Sequence, residues 1–195
     1  HVASKDVCFE CHDQHSLKVR VTECATCHVN RNGDPIVTTA PATPAEYKAA
    51  IDNLHDVRMA GTINDFNANG DTTEGVYYEM TGVRDVLYGA IRAYANTSKT
   101  DGAGNVVPAT PIAYSPTSYP YFFVDGNDNG VVDPGETTAY NAWTARLLRA
   151  AYDYQYAQKD PGAFAHNAKY LIEVLYDAVA DLDSVQPVPG FTNLV

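Results

Sequence analysis

Two five-residue blocks near the amino end constrain this chain more than anything else in it. Residues 8–12 read CFECH and residues 24–28 read CATCH. A C-x-x-C-H block is the attachment signature of c-type haem. Its two thiols can each form a thioether to a haem vinyl group. The histidine that follows lies where its imidazole reaches the iron. Two blocks imply two haems, bonded through Cys8, Cys11, Cys24 and Cys27, with His12 and His28 as proximal ligands. The four cysteines could instead hold zinc. The stretch between the inner cysteines is slightly short for a zinc ribbon, however, and such a site has no use for two histidines. A thioredoxin-like pair would sit in a strand–helix context that neither block has. A structural disulfide pair is the weakest reading, because the motifs use every cysteine.

Charge narrows the partners. The formal net charge is -11, so nucleic acid and anionic membrane surfaces are poor partners. A basic redox partner protein, or an electron acceptor outside the cell, suits an acidic particle better. No apolar run approaches the roughly 20 residues of a membrane span. A chain that opens on His1 with no signal segment reads as a processed mature chain. Haem is attached to this motif outside the cytoplasm, so a periplasmic or extracellular location is expected. Fourteen Tyr and six Phe would pack well on porphyrin faces, or simply make an aromatic core.

Residues 1–43 show little periodicity, with turn formers at 30–35 and prolines at 41 and 44. Such a segment is too poor in apolar residues to fold alone, so haem must supply its core. It is expected to be a dihaem-binding segment, with short helical turns at 8–15 and 24–28. Residues 44–195 are expected to form a helical domain that supplies distal ligands and calcium loops, giving a mainly α fold. Thr43-Pro44-Ala45-Glu46 is a capping box with Pro at the first helical position, opening a helix over 44–59 that Gly61 stops. A second helix is expected over 75–96, with Val76, Met80, Val83, Leu87, Ile91 and Tyr94 as its apolar stripe. A third covers 137–158 through Trp143, Leu147, Leu148 and Tyr152. A fourth covers 164–182 through Phe164, Ala168, Leu171, Leu175, Val179 and Leu182. Residues 97–135 read as loop, with no convincing strand alternation.

Each iron needs a second axial ligand. Met59 and Met80 fall at helical core positions, which leaves His1, His15, His55 and His166 for two distal sites. His15 lies too close to His12 to fold back onto the opposite face of the same haem. It could reach the second haem or a neighbouring chain. His55 and His166 sit on helices, where a lone histidine is ordinarily a hydrogen-bonded core or surface residue.

Three stretches carry a resemblance: AIDNLHDVRMAG at 50–61, DFNANGDTTEGVYYE at 65–79 and DPGAFAHNAKYLIEVLYDA at 160–178. Residues 44–183 resemble the C-terminal region of multihaem c-type cytochromes from metal-reducing and related anaerobes. AHN at 165–167 is similar to segments that carry a distal histidine in several such families. The resemblance therefore implies the order His166, His55, His15, His1 for distal ligands. Relatives commonly hold more haems than two.

Calcium is the remaining motif. Residues 125–136 read DGNDNGVVDPGE. Asp125, Asn127, Asn129, the carbonyl of Val131, Asp133 and Glu136 fill positions 1, 3, 5, 7, 9 and 12 of an EF-hand loop, with Gly130 at position 6. The alternative is a plain Asn/Asp/Gly-rich turn. No entering helix is evident, so a helix is expected only on the exit side. A second candidate offers Asp65, Asn67, Asn69, Asp71, Thr73 and Glu74, but its position 12 is Val76, which cannot bind.

With histidine on both faces, each iron would have no open position. That suits one-electron transfer rather than bond-making chemistry. The expected function is a dihaem electron carrier, not an enzyme. Spare histidines and a thin haem-bearing segment also fit self-association into a filament with haem contacts across subunits, and the resemblance includes extracellular cytochrome filaments. An open iron would instead make a small reductase or peroxidase-like enzyme. A chain without haem would be a zinc- and calcium-stabilised interaction module.

Overall fold

The computed structural model describes residues 5, 7–58, 64–191 and 194. The chain divides into two compact units: His1–Asn64 with Asp71–Glu79, and Asp65–Gly70 with Met80–Val195. The sequence places a boundary at residue 43. The division instead leaves the helix that starts at Pro44 with the cysteine blocks.

The first unit is mostly loop. It holds α1 (Cys8–Cys11), α2 (Val21–Cys24), α3 (Pro44–Leu54) and the first turn of α4 (Val76–Ala95). The second helical turn precedes Cys24 rather than following it. Residues 25–27 are a turn. α3 starts as expected: Thr43 accepts from the Glu46 N–H while Glu46 reaches back to the Thr43 N–H. It ends at Leu54, short of the expected 59. Residues 59–63 lie outside the described residues, Met59 and Gly61 among them. α3 is tied to the cysteine segment by Tyr47, whose hydroxyl accepts from the Val19 N–H at 2.7 Å. Asn53 Nδ2 likewise donates to the Ile36 carbonyl at 2.9 Å. The buried apolar residues described in this unit are Val21, Ile36, Ala50, Leu54 and Val76. Its most buried acid, Glu79, pairs with Arg58 at 2.9 Å.

The second unit has a dense core. All six residues of the expected α4 stripe are buried, five of them, from Met80 onward, in this unit. α5 (Ala145–Lys159) packs on α7 (Ala168–Asp183), which α6 (Ala163–His166) also touches. The α5 face toward the core is Leu147, Ala150, Ala151, Tyr154 and Ala157. Leu148 and Tyr152, expected inside, point outward. The fourth expected helix is two: Asn167 breaks it, and its side chain caps α7 by accepting from the Tyr170 N–H.

Residues 97–135 are not only loop. β1 (Lys99–Thr100) pairs antiparallel with β2 (Val106–Val107), and β3 (Ile112–Tyr114) with β4 (Phe122–Val124). These strands are two or three residues long, too short for alternation to register. Ile112, Ala113 and Tyr114 are all buried, so β3 reads as a plain apolar run. The helix expected from 137 begins at Ala145. The preceding residues extend β4's pairing, through Val124 N–H to Thr138 and Tyr140 N–H to Phe122. Thr144 then caps α5 through the Leu147 N–H.

Candidate functional site

Both cysteine blocks fold into the same turn. The His12 N–H bonds the Cys8 carbonyl at 2.8 Å, and the His28 N–H bonds the Cys24 carbonyl at 2.9 Å. Each bond sets the first cysteine and the histidine one helical turn apart. The blocks are held side by side. The Arg20 N–H donates to the Cys11 carbonyl at 2.7 Å, and Lys5 pairs with Glu23 at 3.1 Å. Burial, and then the neighbouring Cys11, push the Cys24 thiol above its ordinary range. No disulfide joins the four cysteines, and Cys8 and Cys27 are exposed.

His12 is oriented. Its Nδ1 lies 2.8 Å from the Leu17 carbonyl. A backbone carbonyl can only accept, so Nδ1 carries a proton. Leu17 sits at φ 57, in the left-handed region, and this turns its carbonyl onto the imidazole. Asp13 braces the turn by accepting from the N–H groups of Ser16 and His15 and from the Ser16 hydroxyl. Those bonds, the Ser16 backbone first, hold its carboxyl below the usual range.

The distal candidates fall in different places. His15 is exposed beside Asp13. His55 follows α3 and stacks flat on Tyr77, centroids 3.6 Å apart and planes 6° apart, with Tyr78 edge-on. Burial lowers its pKa and so favours neutral imidazole, the ligating form. Gly75 makes that arrangement possible, since a Cβ there would lie 1.8 Å from the His55 carbonyl oxygen. His166 belongs to the second unit. It ends α6 with its side chain 61% exposed and Nδ1 3.6 Å from Asp160. Its ring fills the space a Cβ on Gly162 would take. His1 lies outside the described residues.

In the 125–136 loop, Asp125 is almost wholly buried and accepts from the N–H groups of Asn129 and Gly130. Asn127 Nδ2 and Asn129 Nδ2 both lie 2.8 Å from Asp133 Oδ2. Positions 3, 5 and 9 therefore converge. Rotating either amide exchanges nitrogen for oxygen. Glu136 turns both oxygens inward, to the Gly126 and Asp133 N–H groups. Val131 donates its N–H to Asn129. The expected exit helix is absent: strand β4 enters and an extended segment leaves. Among the described residues no three His, Cys, Asp or Glu side chains gather into a metal site. The fit to calcium thus depends on the neutral oxygens of Asn127, Asn129 and Val131, which suit a hard cation.

The other loop repeats the opening of this one. Asp65 accepts from the Asn69 and Gly70 N–H groups, and Asn67 from Asn69. Ala68 and Gly70 have φ 58 and 89, matching Asp128 and Gly130 at 55 and 82. The division into units falls after Gly70. Beyond it, Asp71 accepts from the Thr73 N–H and hydroxyl and pairs with Arg31 at 2.7 Å. Thr73 above all, and Arg31, lower its pKa. Glu74 is buried.

Part of the chain is similar to curated proteins. It is 34% identical over 73 residues to the C-type polyheme cytochrome OmcC of Geobacter sulfurreducens, covering 32% of this chain and 10% of that protein. It is 33% identical over 73 residues to the C-type polyheme cytochrome OmcB of the same species, with the same coverage. These matches support the multihaem c-type cytochrome family. The chain spans about a tenth of the length of the curated relatives it matches. No family model and no solved structure matches.

Haem fits the geometry above. Val7, Phe9, Leu17 and Val29 flank the cysteine blocks with their side chains exposed, an apolar collar that a porphyrin would cover. Among the described residues no helix is long and apolar enough to cross a membrane. Sequence reasoning missed the Leu17 carbonyl, because a backbone acceptor leaves no residue signature. It also missed Tyr77. The two aromatics of GVYY, one turn from Gly75, were the available signal.

Proposed function

We propose that this chain carries two covalent haems through Cys8, Cys11, Cys24 and Cys27 and passes single electrons outside the cytoplasm. The observation that carries the reading is the paired Cys-x-x-Cys-His turn, with one imidazole held by the Leu17 carbonyl at 2.8 Å from its Nδ1. Bound haem would supply a reversible one-electron iron couple. The protein's part is to grip the imidazoles, cover the porphyrin and set local charge. The test is haem stoichiometry. A pyridine haemochrome assay should give two haems per chain, and intact mass should exceed the polypeptide by two haems. One haem or none overturns the proposal.

His166 and His55 are the proposed distal ligands, followed by His15 and His1. The near-neutral state favoured at His55 and the exposed ring of His166 both support imidazole ligation. Six-coordinate iron makes the chain an electron carrier rather than an enzyme. Replacing either ligand with alanine should convert one haem to a high-spin, carbon monoxide-binding form. A wild-type protein that binds carbon monoxide stoichiometrically would favour the reductase-like reading instead.

Calcium in the 125–136 loop, and in the 65–74 stretch if its incomplete ligand set suffices, serves to fix loops. Redox partner proteins or extracellular acceptors would exchange electrons with the haems. Self-association with haem contacts across subunits would lengthen the relay into a filament, and an exposed His166 is a ligand that a neighbouring chain could use. Cryo-EM of concentrated protein should show filaments. Monodisperse monomers with both haems bis-histidine would remove that part.

A further inference from the structure

We propose that α4 and the residue that follows it form the docking element that shapes the 125–136 loop for a divalent cation, with Tyr88, Arg92 and Asn96 as the positioning residues. This rests on the calcium reading above and adds to it the part of the fold that makes the loop competent.

In an EF-hand, flanking helices fix the two ends of the loop. Here the loop hangs between strand β4 and an extended segment, so its shape must be imposed from the side. Tyr88 and Arg92 are four residues apart on one face of α4, and Asn96, four further on, directly follows the helix with its N–H on the Arg92 carbonyl at 3.0 Å. The Tyr88 hydroxyl donates to the Gly130 carbonyl at 2.7 Å and accepts from the Tyr114 N–H at 3.0 Å. It thereby links the loop to β3. The Arg92 guanidinium donates to the Asp128 carbonyl at 2.6 Å and to its carboxylate at 2.9 Å. Asn96 Nδ2 donates to the other carboxylate oxygen at 2.8 Å.

Asp128 is loop position 4, where no ligand is required. Both its oxygens are taken, one by Arg92 and one by Asn96, so its carboxylate is held away from the ligand positions and its charge is paired. Its own φ of 55 is left-handed, a conformation that needs support in a residue other than glycine. Gly130, at position 6, is required twice over. Its φ is +82, and a Cβ there would lie 2.7 Å from the Arg92 guanidinium. The helix thus grips positions 4 and 6, on either side of Asn129. Asp125 accepts from the N–H groups of residues 129 and 130. A loop ordered before the cation arrives loses less entropy on binding, which raises affinity without any new ligand. The 65–70 stretch has Ala68 at position 4, with no carboxylate for such a grip. Gly82 of α4 leaves room for the Asn67 side chain.

The experiment titrates the haem-loaded full chain with calcium alone, by calorimetry and by competition with terbium luminescence. Wild type is expected to bind in the 125–136 loop, and Glu136→Gln to abolish that site. Arg92→Gln and Asn96→Ala should each weaken affinity about tenfold while leaving calcium-free circular dichroism unchanged, and Tyr88→Phe several-fold. Arg92→Lys, which keeps charge but not the planar guanidinium whose Nη2 makes both bonds, should fall between wild type and Arg92→Gln. Because Arg92 acts through Asp128, adding Asp128→Asn to Arg92→Gln should cost little more than either alone. A merely structural role would not produce that lack of additivity. Folded Arg92→Gln and Asn96→Ala proteins with wild-type affinity overturn the inference while leaving calcium binding intact. A wild type that binds no calcium, together with an unresponsive Glu136→Gln, overturns the calcium reading and this inference with it.

Discussion

The unit that holds the cysteine blocks and the unit that holds α5 and α7 are built on different amounts of buried surface. Five apolar side chains are buried in the first, among the described residues: Val21, Ile36, Ala50, Leu54 and Val76. The second buries nearly every position of the stripes on α4 and α7, together with Tyr114, Phe122 and Tyr154, on whose rings the half-buried Tyr88 and Trp143 pack. Around its cysteines the first unit leaves apolar side chains outside instead. On the haem reading proposed above, the difference teaches that one unit folds on its sequence and the other on what is bonded to it.

The largest test of that contrast removes the haem. Replacing all four cysteines with alanine should strip residues 7–58 of hydrogen-exchange protection, while α5 and α7 stay protected and melt cooperatively. Uniform loss through both units would break the comparison. Next in size is a cavity in the denser core. Leu175, fully buried on α7, should cost about 2–5 kcal/mol when changed to alanine. Denaturant melts of the haem-loaded chain would read that cost, and the same change at Ile36 should be nearly silent in the cysteine-free protein. Calcium comes third. At a hundredfold excess over its dissociation constant it should add about 2.7 kcal/mol, seen as a higher melting temperature that chelator reverses and Glu136→Gln lacks.

The smallest expected effect is a pH dependence confined to the second unit. Burial pushes the Lys99 amine down to about 8, from 10.5. Its Nζ reaches the Tyr94 carbonyl and lies 4.3 Å above the Tyr94 ring, and these contacts offset part of the penalty. A lysine depressed in the folded state binds fewer protons there than when unfolded. Stability from this group therefore rises with pH between about 8 and 10.5. Lys99→Met should be more stable than wild type below pH 8, and the gap should narrow toward pH 10.5. A gap that is constant with pH would show that the amine is not desolvated.

Much of the frame was legible in the sequence, for reasons that particular residues make plain. Thr43, Pro44 and Glu46 announce the start of α3 because all three capping groups are local. The α4 and α7 stripes repeat over enough turns for their period to stand out. What stayed hidden depends on partners distant in sequence or on very short elements. Thr144 rather than Thr137 starts α5, because residues 138–140 are claimed by β4. Asn167 interrupts an unbroken apolar pattern by capping with its own side chain. At the candidate sites the ligand types could be read directly. Their supports could not: Arg92 reaches Asp128 across 36 residues, and Tyr77 meets His55 across a turn that only Gly75 permits.

One of those supports behaves unlike the others under mutation. The oxygen that steadies the His12 ring belongs to the main chain at Leu17, so exchanging that side chain cannot delete it. What matters at position 17 is tolerance of a positive φ. Glycine or asparagine there should hold the imidazole as well as leucine does, or better, while valine or isoleucine should loosen it. A survey of natural variants that looked only for an unchanging residue would pass over this position, although the ring hangs from it.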